Sequence, residues 1–374
     1  MEYVSFLPLV IWVYLIFFRG NFWTCESRVS KIKEIDSSPS VLVLIPARNE
    51  KETIGAAVLS LLKQNYLGKI KIIIIDDNSS DGTSSQIISG ESIQVLRGKS
   101  LPAGWTGKLW ALHQGLRAGE VFFPDAEFIL FTDADIKHNS SNINELMSKC
   151  VRNNLDLASL MVRLKVESFW EYLLIPAFVY FFQMLYPFAW VNDARSNIAA
   201  AAGGCMLIRK SALNLIGGLS EVKNCLIDDC AIGKALKVHG SIWIGLSEET
   251  VCLRSYRELS EIWRMVSRTA YTQLNLSVLN LLNTILGMFI TYLVPVLCLI
   301  FGLIIDNKVI FFLGLSAYVL MLLSYFPIIK FYKIQFFWIF SIPLAGMLFG
   351  LMTLSSAIKH WSGKGGNWKG RDYP

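Results

Sequence analysis

A chain of 374 residues with 53% apolar and 17% charged side chains departs from ordinary soluble domains, in which about a quarter of residues are charged. Its net charge of +6 is spread thinly, without a Lys/Arg run, which argues against a nucleic-acid partner and suits an anionic membrane leaflet. Seven scattered cysteines without a C-x-x-C, and four histidines, offer little to a structural zinc site; reduced thiols facing a cytosol are expected.

The first element is the uncharged run Tyr3 to Phe18, closed by Arg19. It is near the shortest length that spans a bilayer, and no small-x-small cleavage site follows it. A signal anchor over 1–20 is expected. Arg19, Arg28, Lys31 and Lys33 put the next domain on the cytoplasmic side by the positive-inside rule.

From residue 41, short β-rich runs alternate with helical stretches, the pattern of a mainly parallel sheet with crossover helices. Strands are predicted at Val41 to Ile45, Ile72 to Ile75, Ile93 to Leu96 and Phe128 to Phe131, with helices at Glu50 to Gln64 and Lys108 to Ala118. Three strand ends carry polar clusters: Ala47-Arg48-Asn49-Glu50, Asp76-Asp77 and Asp133-x-Asp135. Ligands of open α/β sheets bind beyond the carboxyl ends of strands, so these groups are expected to share one edge. No G-x-G-x-x-G or G-x-x-x-x-G-K-[ST] loop is present. A nucleotide held there would need a divalent cation between its diphosphate and the acids, and paired carboxylates suit Mg²⁺ or Mn²⁺.

Tyr172 to Asn192 is uncharged, rich in aromatics and interrupted by Pro176 and Pro187. Asp135 and Asp229 flank it, and one crossing would separate them across the membrane. An interfacial hairpin over 168–192 is therefore expected, with a buried core hairpin as the rival. Leu276 to Ile305, Val309 to Ile329 and Ile334 to Ile358 are each long enough to span. Three spans would leave the basic tail (361–374; Lys359, Lys364, Lys369, Arg371) outside, against its charge. Either one run is interfacial or re-entrant, or the tail is an exception to that rule; a cytoplasmic tail is expected.

LIPARNE (44–50), IIIDDNSSDGT (73–83), FTDAD (131–135), AAGGCMLIRKSAL (201–213) and IDDCAIGKAL (227–236) resemble the family 2 glycosyltransferases across roughly residues 40 to 270. LPAGWTGKLWALHQG (101–115) and GKGGNWKGRDY (363–373) are similar to the hopene-associated glycosyltransferases and related carotenoid- and ceramide-type enzymes. The resemblance implies a GT-A domain (nucleotide-diphospho-sugar transferase fold, mixed and mainly parallel sheet) over 21–270, with membrane helices at the N-terminus and at 271–360. It implies a nucleotide-sugar donor, most readily a UDP-sugar, a membrane lipid acceptor and a cytoplasmic, multi-pass location in the inner membrane. Pro46, Glu50 and Asp77, with Asp76, would hold the nucleoside, and Lys108 would lie near ribose or phosphates. Asp133 and Asp135 would bind the metal–diphosphate, Gly203 and Gly204 would let backbone approach the donor sugar or acceptor, and Asp229, beside Asp228, would be the general base. The Q-x-x-R-W motif of many relatives is replaced by Arg264-Met-Val-Ser-Arg268, which leaves the diphosphate-contacting arginine open between Arg264 and Arg268.

Plainer roles stand beside these. Asp76, Asp81 and Gly82 suit a turn, Asp228 and Asp229 suit a helix cap, and Arg264 and Arg268 suit an interface by snorkelling. Trp105 and Trp110 suit core packing, and His113 a helix surface. Two other activities remain open: transfer to polyprenyl phosphate, and membrane nucleotidyl transfer.

Overall fold

The computed structural model describes residues 2–26, 38–88, 90–363 and two short strands at 367–368 and 371–372. Arg28, Lys31, Lys33, Lys364 and Lys369, and with them most of the basic tail, lie outside the described residues.

After the apolar helix α1 (Glu2–Phe18) come β1 (Val41–Ala47), α2 (Ile54–Leu62), β2 (Ile70–Asp76), β3 (Ile93–Arg97), α3 (Gly107–Phe122) and β4 (Phe128–Thr132). A short β5 (Ile136–Lys137) precedes α4 (Asn142–Arg152), the long β6 (Leu155–Arg163), α5 (Phe169–Leu185) and α6 (Phe188–Val191). Next are β7 (Cys205–Arg209), α7 (Lys210–Leu215), α8 (Asp228–Lys237), β8 (Ser241–Cys252), α9 (Leu259–Ser267) and α10 (Ala270–Gln273). The last helices are α11 (Val278–Met288), α12 (Val294–Ile304), α13 (Lys308–Tyr332) and α14 (Ile342–Trp361).

One sheet runs in the order β3-β2-β1-β4-β7-β6-β8-β5. β1 pairs in parallel with β2 and β4, and β2 with β3, while β7 lies antiparallel between β4 and β6. Because helices cover both faces, the central strands read as continuous apolar runs. Val41, Val43 and Ile45 pack with α2 and α4, whereas Leu42 and Leu44 pack with α3. The register sets Ala47 beside Asp76 and Leu44 beside Phe131, so β1, β2 and β4 end together and deliver their polar ends to one edge. α3 lies close on this sheet because it carries glycine where it crosses. A Cβ at Gly115 would stand 2.7 Å from Ile75.

α5 is a single helix, with Pro176 inside it, where a hairpin was expected. Its Leu174, Tyr180 and Phe181 are buried, against the hydroxyl of Ser324 on α13 and the rings of Tyr325 and Phe349. Both its ends return to the domain built on the eight-stranded sheet. At the start, Ser168 and Glu171 form a capping box, and the fully buried Glu171 carboxylate accepts the N–H groups of Glu167 (2.9 Å), Ser168 (2.8 Å) and Tyr256 (2.6 Å). At the far end, Tyr186 meets Gln273 of α10.

Three helical stretches, Val278–Ile304, Lys308–Tyr332 and Phe336–Trp361, are long and apolar enough to cross a membrane. The first bends through a π-turn at Phe289–Leu293, and its Thr291 carbonyl accepts the Trp12 indole of α1 at 2.9 Å. α13 ends on the catalytic domain, where Arg163 donates to the Tyr332 carbonyl at 2.8 Å and Lys333 pairs with Glu248 at 3.2 Å. The third stretch differs from the other two. Its beginning stacks Trp338 on Tyr172 of α5, and its end sets Ser355 under the Trp263 indole (3.0 Å) and Lys359 on Ser267 (2.7 Å). α14 therefore starts and finishes beside the catalytic domain.

Replacing Glu171 by Ala strands three backbone donors in the interior. An unsatisfied buried donor costs about 1–3 kcal/mol, so Glu171→Ala is expected to lower the unfolding midpoint of the detergent-solubilised protein sharply. Glu171→Gln, which keeps one carbonyl acceptor, should lower it less.

Candidate active site

The loop after β2 clasps the end of β1. Glu50 N–H donates to Thr83 Oγ1 (2.9 Å), Asn49 N–H to Ser79 Oγ (3.0 Å), Ser80 N–H to Asn49 Oδ1 (2.9 Å) and Lys51 N–H to Asp81 Oδ2 (3.0 Å). Asp76 accepts from Ser79 N–H at 2.9 Å through one oxygen and from the Ser84 hydroxyl through the other. Asp76 and Asp81 both shape this turn. Asp77 is buried beside Arg48, whose Nη1 donates to the Asp77 carbonyl at 2.6 Å and lies 3.8 Å from its carboxylate. Pro46 is buried within β1, opposite Ile75.

Beyond this clasp, two cations organise the remaining acids. Arg254 sits just past β8, where Ile136 pairs with Cys252 and Leu253 N–H donates to the Asp135 carbonyl at 2.7 Å. Its Nε donates to Asp135 Oδ2 at 2.8 Å and its Nη2 to Glu50 Oε1 at 2.7 Å. Burial pushes the Asp135 carboxyl up, the Asp133 charge adds to this, and Arg254 opposes it. Lys108, in the first turn of α3, pairs with Asp133 at 2.8 Å and Asp228 at 3.5 Å. Burial alone would lower the lysine's proton affinity, but the carboxylates of Asp133, Asp228 and Asp229 raise it instead and keep Lys108 charged. Asp133 and Asp135, one residue apart, join the two groups into one charged strip.

Asp229 completes it. The carboxylate sits in the first turn of α8, where the helix dipole favours an anion, and accepts Gly203 N–H (2.8 Å) and its neighbour's Cys230 N–H (2.8 Å). Burial and the Asp228 charge push its carboxyl up to about 6, against the pull of Lys108. A Cβ at Gly203 would stand 3.1 Å from Asp229 Oδ2 and 3.2 Å from Lys108 Nζ, whereas one at Gly204 would meet Val162 and Ile136. Gly203 is thus the backbone contact of the site, and Gly204 faces the core. Arg264 and Arg268 are exposed on and just after α9, and the Arg264 guanidinium turns back to the Ser260 carbonyl at 3.3 Å. Neither pairs with these acids among the described residues. Arg254 occupies the position beside the acids that those two were expected to fill. It follows a strand without a motif, and only the pairing of β5 with β8 brings it there.

Among the described residues no group of three or more His, Cys, Asp or Glu side chains could hold a metal by itself. Asp133 and Asp135 offer hard carboxylate oxygens on one short segment, and the Asp133 side chain is 37% exposed. Such a pair fits Mg²⁺ or Mn²⁺ that completes its shell with phosphate oxygens and water.

Residues 42–217 match the family model of glycosyl transferase family 2. The chain is 24% identical over 236 residues to a 4,4'-diaponeurosporenoate glycosyltransferase of Staphylococcus aureus, covering 60% of each chain. It is 26% identical over 117 residues to the UDP-Glc:alpha-D-GlcNAc-diphosphoundecaprenol beta-1,3-glucosyltransferase WfgD of Escherichia coli, covering 31% of this chain and 42% of that one. The matches to curated relatives span 29–60% of their own lengths. In fold, the chain resembles the mannosyltransferase PcManGT of Pyrobaculum calidifontis, solved with GDP-Man and Mn²⁺, at a TM-score of 0.53 and 15% identity over 96% of this chain and 99% of that one. Residues 42–217 form a domain of glycosyl transferase family 2. Its sheet is the GT-A sheet, carrying the acids of the site on the carboxyl edge.

Misplacing a reacting group by about 1 Å can cost 10²-fold in rate. Gly203→Ala in this glycosyltransferase is expected to lower transfer at least tenfold, by pushing on Asp229 and Lys108, while the unfolding midpoint moves little. Steady-state rates and a melt of the same preparation check both halves.

Proposed function

We propose that this enzyme transfers a sugar, with inversion, from a nucleotide-diphosphate donor (a UDP-sugar) to the hydroxyl of a membrane lipid of hopanoid, carotenoid or ceramide type. The observation that carries the reading is the strip Glu50–Arg254–Asp135 and Asp133–Lys108–Asp228, ending at Asp229 and the open backbone of Gly203. Among relatives, the 4,4'-diaponeurosporenoate of one and the alpha-D-GlcNAc-diphosphoundecaprenol of another support an acceptor held in a membrane.

In the reaction, the acceptor oxygen attacks C1 of the sugar, the bond from C1 to the diphosphate oxygen breaks, and its electron pair leaves with the nucleoside diphosphate. The proton of the acceptor passes to Asp229, whose orientation the two N–H donors fix and whose affinity for that proton burial raises. Lys108 and Arg254 lie beside the acids that would face the diphosphate, and both carry charge to set against it. A divalent ion at Asp133 and Asp135, Mg²⁺ or Mn²⁺, would supply further neutralisation of the leaving diphosphate.

The decisive experiment incubates purified enzyme with Mn²⁺, a panel of UDP-sugars and native lipid extract, and weighs the products. Sugar-sized increments on one lipid class are expected. Transfer only to a soluble acceptor removes the lipid reading, and pyrophosphate released from a nucleoside triphosphate replaces it with nucleotidyl transfer. Asp229→Asn should cost about 10²- to 10⁴-fold, as loss of a positioned base does. The wild-type rate should fall as pH drops through about 6, where Asp229 becomes protonated and can no longer accept the proton; a flat acidic profile would count against Asp229 as base.

For the membrane, we infer that α1, the α11–α12 pair and α13 cross the bilayer, while α14 lies along the catalytic side. The return of both ends of α14 to that domain supports this, and it reconciles three apolar runs with a basic tail on the cytoplasmic face. In intact cells a cysteine at Asp306 is then expected to react with an impermeant maleimide, and one at Ser362 only after permeabilisation. Labelling of both from outside overturns the arrangement.

A further inference from the structure

The segment that carries Asp133 and Asp135 is closed by side chains that have had no part in the chemistry so far. Thr132 ends β4 and His138 follows β5, so the two flank both acids in the chain. Between them, Ile136 N–H donates to the Asp133 carbonyl at 3.3 Å, and the two residues of β5 pair with β8. At the neck, Thr132 Oγ1 and His138 Nε2 lie 2.9 Å apart. The direction of this bond is fixed by its surroundings. The Thr132 hydroxyl donates its proton to the Gly204 carbonyl at 2.9 Å, so toward His138 it accepts. Nε2 therefore carries the proton of the neutral imidazole, and Nδ1 accepts from Asn142 Nδ2 at 2.9 Å. The Asn142 amide fits that role, because its oxygen accepts the Thr250 hydroxyl at 3.1 Å and its nitrogen also reaches Cys205 Sγ at 3.5 Å. Thr132, His138, Asn142 and Thr250 are all buried. Burial pushes the imidazole pKa down to about 3, which keeps the ring neutral. The backbone N–H of His138 is held too, by Ser60 Oγ of α2 at 2.9 Å.

We propose that His138 is a positioning residue of the metal site: its bond to Thr132 closes the neck of the segment 133–137 and holds the carboxylates of Asp133 and Asp135 at the spacing a divalent ion requires. This rests on the glycosyl-transfer reading above and adds the group that keeps the two acids in place. A histidine so close to paired acids invites assignment as a metal ligand. Here both ring nitrogens are engaged, by Thr132 and Asn142, so the ring acts through the backbone it holds rather than on the ion. Like charges one residue apart repel, and a segment open at its neck would let them spread. Fixed groups beyond the ligands themselves govern the affinity of a metal site. Four elements supply them here: α2 through Ser60, α4 through Asn142, β8 through Thr250, and the backbone before β7 through Gly204. The Gly204 carbonyl also accepts Asp133 N–H at 3.4 Å, and the adjoining Gly203 N–H binds Asp229. The clamp thus refers the metal carboxylates and the proposed base to the same stretch of backbone.

The test reads Mn²⁺ binding directly, without turnover. Full-length protein in detergent is titrated with Mn²⁺ in the presence of UDP, and the electron paramagnetic resonance signal of free Mn²⁺ gives both the affinity and the number of sites. Wild type, Thr132→Val, Thr132→Ser and His138→Phe are compared, each with its unfolding midpoint. Loss of a group that supports metal ligands lowers affinity by about 10- to 100-fold. Thr132→Val and His138→Phe are each expected to weaken Mn²⁺ binding by about tenfold or more, with the number of sites unchanged. Thr132→Ser, which keeps the hydroxyl, is expected to bind within about twofold of wild type. Unchanged affinity in Thr132→Val or in His138→Phe overturns the clamp. A fall in the number of sites at unchanged affinity, or a loss that Thr132→Ser shares, also overturns it, since each marks misfolding rather than positioning. Should His138→Phe fail to fold, the contrast between Thr132→Val and Thr132→Ser decides alone. Wild type that takes up no Mn²⁺ with UDP present would instead defeat the donor-site reading itself, and the clamp with it.

Discussion

The site depends on balancing carboxylates that would otherwise repel one another. Glu50, Asp133, Asp135, Asp228 and Asp229 come from three separate segments and meet at one sheet edge, where burial makes each unpaired charge costly. Two cations make the arrangement stable. Arg254 bridges Glu50 and Asp135 with a separate N–H for each, which a lysine could not reproduce in the same geometry. Lys108 does the complementary work as a compact charge shared among several oxygens. On the proposed reading, an incoming diphosphate would meet two cations already held in position, neither of which has to be recruited from solvent.

The same constraint explains how the domain is tied to its apolar helices. Arg254 must stay beside Asp135, yet it lies in a segment with no regular structure after β8. Two residues on, Tyr256 N–H is held by Glu171, so the start of α5 fixes the segment that carries the arginine. The far end of α5 meets Gln273 of α10 at Tyr186. α5 thus links the segment that carries Arg254 to α10, and it does so while buried against α13 and α14. A shift of the membrane helices would be felt at the segment that carries Arg254, which couples the geometry of the site to the packing of the anchor.

Much of this was legible in the chain. The first strands were readable because helices on both faces demand unbroken apolar runs, and each ran into a polar cluster. The acids at those strand ends were found for that reason, whereas Lys108 at the start of α3 came only from the family resemblance of its segment. Asp76 was expected beside the nucleoside, and an Asp before an Asn-Ser-Ser-Asp-Gly turn also has backbone and hydroxyl donors within a few residues, one of which binds each of its oxygens. Arg254 was missed because its role comes from the pairing of β5 with β8, two strands far apart in sequence. α14 matches a membrane span in length and composition, and those properties do not record where its ends lie. Only the contacts of Trp338 and Lys359 do.

Adjacent carboxylates at the start of α8 show how the environment divides roles that sequence leaves equal. Asp228 and Asp229 are both acidic, both in the first helical turn and both favoured there by the dipole. Asp228 turns to Lys108, a fixed cation, and is thereby committed to charge compensation. Asp229 accepts two backbone N–H bonds, which fix its direction, and these leave lone pairs free on a carboxylate that can accept about four. The charge on Asp228 also raises the proton affinity of its neighbour. One member of the pair is thus spent on holding the site together, and by its proximity it raises the proton affinity of the other, which suits the role of base proposed for it. The pattern is the general one in which neighbouring titratable groups are pushed apart by their surroundings and so acquire distinct functions.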